Sequence, residues 1–311
     1  MNNIKLSIIL VNWNCGKVII DCVESITKNI LPLQYEVIVV DNNSIDGSNE
    51  EIEKKFPFVK FIKNKYNNLF AGANNQGYDL SKGEYVWILN SDTVLFDDSV
   101  RKMISFLENN SGFGAVTTKL LNSDKTTQYY MHRRFPTFLR ICFALLHKRF
   151  PSFKPKIVKD YLYLDNDFTK NFSVEQAAGT SILIRREIIE KIGGLFDAKK
   201  FPLFFNDVDL CYRLYKYHYK IMCLCDSSIF HLKGHSTNKL NFFNGKMQYI
   251  PSSLAFFKKH GKYIDYLLAK LSYFLLFSFL ILVSVFKLLI RKINLKTFKH
   301  QLLIIPLIIR S

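Results

Sequence analysis

Polar residues able to do chemistry recur in this chain directly after apolar runs. Asn12 and Asn14 follow residues 6–11, Asp41 and Asn43 follow residues 36–40, and Asn90, Ser91 and Asp92 follow residues 85–89. A carboxylate with a second oxygen donor two residues away can hold a hard divalent cation, which keeps several waters and takes one or two carboxylates plus phosphate oxygens. A second cluster is Asn206-Asp207-Val208-Asp209. Carboxylates there meet the free N–H groups of a helix start, as plain caps or, for one of them, as a general base. His231 stands at the end of a further apolar run, and Lys233 and His235 beside it could face phosphate. One strand-end pair alone is ordinary turn chemistry. Three in succession point to a ligand crevice.

The elements that must position these groups follow from periodicity. Residues 6–11, 36–40, 58–62 and 84–90 are short, apolar and rich in β-branched residues, which predicts buried strands. Helical spacing predicts helices over 17–28, 71–81 and 97–109, and Ser48-x-x-Glu51 predicts a capping box opening another. Strand and helix alternating in this way predict an α/β fold with a mostly parallel sheet covered by helices on both faces. In such sheets ligands bind outside the carboxyl ends of the strands. Further on, 113–118 is expected as a strand, 174–184 as an apolar stretch around Gly179, and a helix is expected from Arg186. A helix over 207–217 and short strands at 220–224 and 228–231 complete the pattern. Residues 129–172 are basic, aromatic and irregular, without an assigned element. There are no internal repeats.

The composition narrows the classes. In 311 residues, 49% hydrophobic, there is ample apolar mass for a packed core, which excludes disorder and suggests one or two domains. The net charge is +17, and residues 258–311 hold ten Lys/Arg against one acid, Asp265. A nucleic-acid partner is not expected, because basic charge would then spread over the fold. A basic tail beside an apolar run points instead to an anionic membrane surface. Residues 271–286 carry no charge; at 1.5 Å per residue they reach about 24 Å, short of the roughly 30 Å hydrocarbon core. Adding 266–269 and 288–290 spans it if Lys270 and Lys287 snorkel. Lys258, Lys259 and Lys262 precede the run and Arg291, Lys292, Lys296 and Lys299 follow it. Basic clusters on both sides favour a helical tail lying in or dipping into the interface with 302–309, monotopic or peripheral at the cytoplasmic face. The six cysteines include no C-x-x-C and are expected as free thiols, and no secretory signal is expected from the short apolar run at 6–11.

Taken in order, these segments resemble the family 2 glycosyltransferases of GT-A (Rossmann-like) fold, and among them the rhamnosyltransferase-like members of bacterial surface-polysaccharide synthesis. The resemblance rests on Ile8-Ile9-Leu10-Val11-Asn12-Trp13-Asn14, Val39-Val40-Asp41-Asn42-Asn43-Ser44-x-Asp46-Gly47-Ser48 and residues 67–77. It continues through Leu89-Asn90-Ser91-Asp92-Thr93, residues 179–185, Asn206-Asp207-Val208-Asp209-Leu210-Cys211-Tyr212-Arg213 and Ile229-Phe230-His231. It implies a GT-A domain over 1–240, with a nucleotide-sugar half (1–118) and an acceptor and catalytic half (119–240), followed by a helical membrane-association region over 241–311.

The resemblance also implies roles. Asp41 would recognise the donor base, with Val11, Asn12, Asn43, Asn74 and Ser91 lining the donor-nucleotide site. Asp92 and His231 would hold Mg²⁺ or Mn²⁺, with Asn90 where many relatives carry an acid. Asp207 would be the catalytic base, with Gly179 and Asn206 on the acceptor side. Leu69 and Ala73 stand where the family usually has glycine. The implied reaction is inverting transfer of a sugar, L-rhamnose from dTDP-rhamnose or else a UDP-hexose, to a hydroxyl of a polyprenyl-diphosphate-linked oligosaccharide. Three other readings lack their marks. A sugar-nucleotide nucleotidyltransferase would carry a Gly-rich basic loop where Asn12-Trp13-Asn14-Cys15-Gly16 stands. A processive synthase would carry a late Gln-x-x-Arg-Trp, and Trp13 and Trp87 are both too early. A non-catalytic sugar-nucleotide-binding protein would need neither Asp207 nor His231.

Overall fold

The computed structural model describes residues 4–30, 33–232, 242–290 and 295–311. The chain opens as an alternation: β1 Leu6–Asn12, α1 Lys17–Asn29, β2 Tyr35–Asp41, α2 Ser48–Lys55, β3 Lys60–Lys63, α3 Leu69–Leu80 and β4 Tyr85–Leu89. β1 and β2 read as continuous apolar runs because helices cover both faces; Ile8, Ile9, Leu10, Val37, Ile38 and Val39 are fully buried. β1 pairs in parallel with β2 and β4, and β3 extends β2. Asn12 lies opposite Asp41 in this register, so the polar strand ends align along one edge. α3 rests tightly on the sheet: a Cβ at Gly77 would fall 2.5 Å from Ile9 Cγ2. Only glycine lets the helix approach so closely.

The second half departs from the alternation. It comprises β5 Thr93–Leu95, α4 Ser99–Asn109, β6 Phe113–Leu121, α5 Phe138–Arg149, α6 Lys156–Tyr161, β7 Phe172–Val174, β8 Ser181–Arg185, α7 Arg186–Lys191, α8 Asn206–Lys216 and β9 Lys220–His231. Among the described residues these strands extend one sheet in the order β3-β2-β1-β4-β8-β6-β9-β5, with β7 also on β9. β8 runs antiparallel to both β4 and β6, while β6 and β9 are parallel. The sheet is therefore mixed: the βα alternation of the first four strands is wholly parallel, and the β6–β9 pair is a second parallel part. Parallel neighbours need a helical crossover, and β8 enters beside β4 from the opposite end without one.

Local readings are corrected in the same way. The two short strands expected at 220–224 and 228–231 are one strand, β9, bulged where β6 pairing jumps from Leu224 to Ser228. The capping box is absent. Gly47, at φ +75°, is the N-cap of α2, and Ser48 is the first helical residue, its Oγ donating to Asp46 Oδ1 at 2.6 Å. α5 and α6 lie in the stretch left without assignment; the apolar residues of α5 divide between the helical layer (Phe138, Ile141) and an exposed side (Leu139, Leu145, Leu146), so no single stripe marks that helix.

Beyond β9 come α9 Phe242–Lys259, α10 Tyr263–Leu289, α11 Leu295–Leu302 and α12 Ile304–Arg310. Ile250, Leu254, Phe256 and Phe257 of α9 form one buried cluster with Phe201, Phe205 and Val208 at the start of α8. Ala269 and Phe277 of α10, with Ile304 and Ile308 of α12, complete it. α9 therefore packs on the start of α8 and the loop before it. The expected division between 240 and 241 falls outside the described residues, as do Lys233, His235, Arg291, Lys292 and the side chains of Lys287 and Lys296. Within α10, Tyr263–Phe286 is long and apolar enough to cross a membrane, and most of it is exposed.

Candidate active site

Asp207 sits in the first turn of α8, after a buried Phe205 held at φ +65°. A bulky residue in the left-handed region is strained, and such strain gathers at functional sites. The backbone N–H of Gly179 donates to Asp207 Oδ2 at 3.1 Å, and Gln176 Nε2 donates to the same oxygen at 3.3 Å. A Cβ at Gly179 would lie 3.4 Å from Asp207 Cβ, so that glycine sits directly on the carboxylate. Burial pushes the carboxyl above its usual range, more than the Gly179 N–H and the Arg133 charge pull it down. A carboxylate with raised basicity suits proton abstraction.

The loop carrying Gly179 is braced from behind. Ala178 N–H donates to His132 Nδ1 at 3.3 Å, and His132 Nε2 meets Thr118 O at 2.9 Å. Burial pushes the His132 pKa down to about 4, so the ring is neutral and acts as a strut. Thr180 O accepts the N–H of Asn90 at 2.9 Å. That bond ties the base-side loop to the end of β4, where Asn90, Ser91 and Asp92 begin.

Asp92 and His231 converge there. β5 pairs with β9 so that Thr93 faces His231, and Leu232 N–H donates to Asp92 O at 2.8 Å. His231 Nε2 lies 3.3 Å from Asp92 Oδ1, both side chains being buried. Gln128 orients the ring. Its Nε2 donates to Leu121 O (3.1 Å) and His231 O (2.7 Å), which turns Oε1 toward His231 Nδ1 at 3.0 Å. Nδ1 then donates to Gln128 Oε1 and Nε2 faces Asp92, where the lone pair of the neutral ring would be open to a cation. One carboxylate and one neutral imidazole at this separation can share an octahedral ion such as Mg²⁺ or Mn²⁺, the remaining positions being left to water and phosphate. Among the described residues no group of three or more His, Cys, Asp or Glu forms a closed metal cage. The donor set fits an ion that arrives with a phosphate ligand.

On the nucleotide side Asp41 is buried, Oδ2 accepting from Ser44 N–H at 3.0 Å and Oδ1 having no partner. The Oδ1 of buried Asn74 is likewise unpaired, while its Nδ2 donates to Phe70 O at 2.8 Å. Buried polar atoms normally have partners, so two orphan acceptors call for a ligand with N–H or O–H groups. Ser91 is buried beside Cys15 (Oγ···Sγ 3.2 Å), and Val11 is partly exposed at the end of β1.

Two of the expected site residues are held by scaffold bonds and a third is exposed. The Asn12 side-chain amide donates to Ser48 Oγ and Asn49 Oδ1, and its backbone O accepts from Asn42 N–H at 2.8 Å at the end of β1. Asn43 is exposed at φ +65°; its neighbour Asn42 is buried, linking β2 to the start of α3 through Leu69 O and to Asn64. Asn206 is buried, and its amide joins Leu203 O and the Asp207 N–H, which shapes the turn that opens α8. Of the two residues at glycine positions, Ala73 packs its methyl with Ile38 and Val40, whereas Leu69 takes φ +57°. Gln128, His132 and Asn42 carried no signal in the sequence, since each acquires its role only through strand pairing.

A glycosyl transferase family 2 pattern matches residues 7–193, more than half of the chain. The chain belongs to that family. The curated relatives of this family 2 glycosyltransferase include a probable glycosyltransferase, YdaM, of Bacillus subtilis, 27% identical over 226 residues. The match covers 70% of this chain and 48% of that one. The poly-beta-1,6-N-acetyl-D-glucosamine synthase of Staphylococcus epidermidis is 34% identical over 103 residues, 31% of this chain and 25% of that one. The chain thus spans less than half of either relative. In fold it is similar to the mannosyltransferase PcManGT of Pyrobaculum calidifontis, solved with GDP-Man and Mn²⁺ (TM-score 0.55, 15% identity, 83% of this chain and 64% of that one). It is similar also to S. aureus TarS residues 1–349 in complex with UDP-GlcNAc (TM-score 0.53, 18% identity, 79% and 64%).

Proposed function

We propose that this family 2 glycosyltransferase moves a sugar from a nucleoside diphosphate to a hydroxyl of a lipid-linked oligosaccharide, with inversion, at a membrane surface. The observation that carries the reading is the link from Asp207 through Gly179 and the Thr180–Asn90 bond to the strand end that holds the Asp92–His231 pair, with the orphaned Asp41 Oδ1 at the end of β2 in the same sheet. Asp41 Oδ1 accepts the ring imino N–H of the donor base, which thymine, uracil and guanine offer and adenine and cytosine lack. Asn74 Oδ1 accepts a further donor group of the nucleotide. Asp92 and His231 would hold Mg²⁺ or Mn²⁺, which when bound would supply positive charge to offset that developing on a diphosphate leaving group. Asp207 takes the proton of the acceptor hydroxyl as it attacks the sugar carbon, and Gly179 N–H holds the carboxylate in place. One displacement needs no enzymic nucleophile, so the configuration inverts. The rhamnosyltransferase-like motifs favour dTDP-rhamnose as donor, with UDP-hexoses next.

The tail supports a monotopic placement. Lys258 Nζ lies 3.4 Å from Ser311 O and Lys270 Nζ 3.0 Å from Ile309 O, so the last helix returns beside the start of α10. That return brings the last helix, with Arg310, beside the end that carries Lys258, Lys259 and Lys262, as in a segment that enters and leaves a bilayer on one face, which fits the cytoplasmic face. The test is a thermal-shift screen of nucleoside diphosphates and sugar nucleotides with Mn²⁺, since a ligand that binds only the native state raises its stability. The expected result is a shift with dTDP- or UDP-sugars that disappears in Asp41→Ala. Equal shifts with adenosine and cytidine diphosphates would remove Asp41 as the base reader.

A further inference from the structure

Sugar transfer leaves residues 138–156 without a task. They contain five Lys/Arg and no acid. Phe138 and Ile141 of α5 pack inward on the cluster built by α9, α10 and α12. Phe138 N–H donates to Asp265 Oδ1 at 2.7 Å, and Lys262 Nζ reaches Pro136 O at 3.0 Å, which fixes the start of α5 against the first turn of α10. The outer side is different. Leu139, Leu145, Leu146, Phe150 and Phe153 are 42 to 55% exposed. His147 holds the following turn in this pose: Nε2 meets Tyr130 OH at 3.2 Å and Nδ1 meets Phe153 O at 2.9 Å. Arg149 lies over the Phe150 ring at 5.2 Å, while Lys148, Lys154 and Lys156 are exposed around the same apolar residues.

Large apolar side chains gathered on a surface mark an interaction site, and an apolar helix face rimmed by cations lies well in a lipid headgroup region. Charge selects the occupant. A second copy of this face would set cation against cation, whereas an anionic bilayer is complementary. α5 meets α10 at its start through the Phe138–Asp265 bond, and α10 itself exposes Ile264, Leu267 and Leu271. We propose that α5 and the turn to Phe153 insert into an anionic bilayer as a second membrane contact beside α10. This rests on the reading that α10 meets a membrane, and adds where the catalytic part touches it. α5 starts five residues after Arg133, whose charge bears on Asp207. Its insertion would hold the acceptor side of the crevice at the lipid surface, where a lipid-linked hydroxyl arrives.

Cys142 is the one partly exposed cysteine and the other five are buried, so a single label can be placed cleanly. Full-length Cys142→Ser, Leu146→Cys protein carrying an environment-sensitive fluorophore is diluted from detergent into phosphatidylcholine vesicles with or without phosphatidylglycerol. Flotation reports whether the protein binds at all, and the fluorophore reports insertion at position 146. Flotation with a blue shift that is larger in anionic vesicles, and quenching by a lipid-borne quencher, supports the proposal. Flotation with an unshifted fluorophore overturns it while leaving the α10 reading intact. No flotation overturns both. A shift that needs no lipid and grows with protein concentration reveals a second copy on this face and also overturns it. Leu146→Glu with Phe150→Glu should lower partitioning into anionic vesicles by about tenfold or more, with soluble donor binding unchanged.

Discussion

The crevice side of α8 and the side packed on the C-terminal helices treat the same residue type in opposite ways. Asp207 faces the crevice, where burial raises its carboxyl above the usual range. Asp209, two residues on, faces the helical layer and is fully buried among Arg213 Nε (2.9 Å), Lys259 Nζ (2.8 Å) and His260 Nε2 (2.9 Å). Despite its burial, the hydrogen bonds from His260 and Lys259 and the charge of Arg213 hold its pKa at about 2. The Asp207 carboxyl is left with raised basicity at the expense of stability. Asp209 is an anchor joining α8 to α9. The two acids are separated by about half a helical turn, and only their surroundings distinguish them.

The largest expected effect tests the anchor. Asp209→Ala leaves Arg213 and His260 without their carboxylate and Lys259 with Asp197 alone, and should destabilise the fold by about 3–5 kcal/mol, measured by thermal or urea unfolding of detergent-solubilised protein. The sign with pH follows from the depressed pKa. The Asp209 contribution is complete above about pH 4, the unfolded value, and is lost as pH falls toward about 2. The same interactions mean that ending the chain near Pro251, which removes Lys259 and His260, should cost comparable stability. A chain ending after Gly261 keeps them and should fold. Equal stability of the two truncations would break the anchor assignment.

Asp207→Asn tests the other side. Its rate should fall by at least ~10²-fold while donor affinity, read by calorimetry, stays unchanged. Stability should move the opposite way to Asp209→Ala. A raised pKa means the ionised form is disfavoured in the fold, so the Asp207 contribution worsens as pH rises from the ordinary carboxyl value through the raised one. The uncharged variant should therefore be as stable as the parent at neutral pH, or more so. A variant that unfolds would make Asp207 a second structural cap.

Smaller effects sharpen the picture. Gln128→Leu frees His231 to take the other tautomer and should weaken Mn²⁺ binding in the presence of a nucleoside diphosphate by about 10-fold, followed by electron paramagnetic resonance. Unchanged Mn²⁺ affinity would show that Gln128 merely closes the loop. Leu69→Gly removes a left-handed leucine but adds chain entropy to the unfolded state. These terms oppose, and the net change should stay within about 1 kcal/mol, with donor binding intact.

Much of the first half was legible from residue order. Residues 6–11, 36–40 and 84–90 fall within or one residue beyond β1, β2 and β4, because strands buried on both faces need unbroken apolar runs, and those runs end where the chain meets solvent. Asp41, Asp92, Asp207 and His231 stood out because an acid or imidazole beside such a run has few structural reasons to be there. Tertiary structure decided the rest. The antiparallel insertion of β8, the bulge that makes β9 one strand, and the orienting roles of Gln128 and His132 all depend on pairing between segments far apart in the chain. The side-chain partners of Asn12 and Asn206 were likewise set by packing, because an amide binds whichever partner the fold brings to it. The division between Asp207 and Asp209 belongs there too. Both are acids opening one helix, and what separates the carboxyl of raised basicity from the anchor is Gly179 from one loop and Lys259 and His260 from the end of α9, placed by the fold and not by neighbouring sequence.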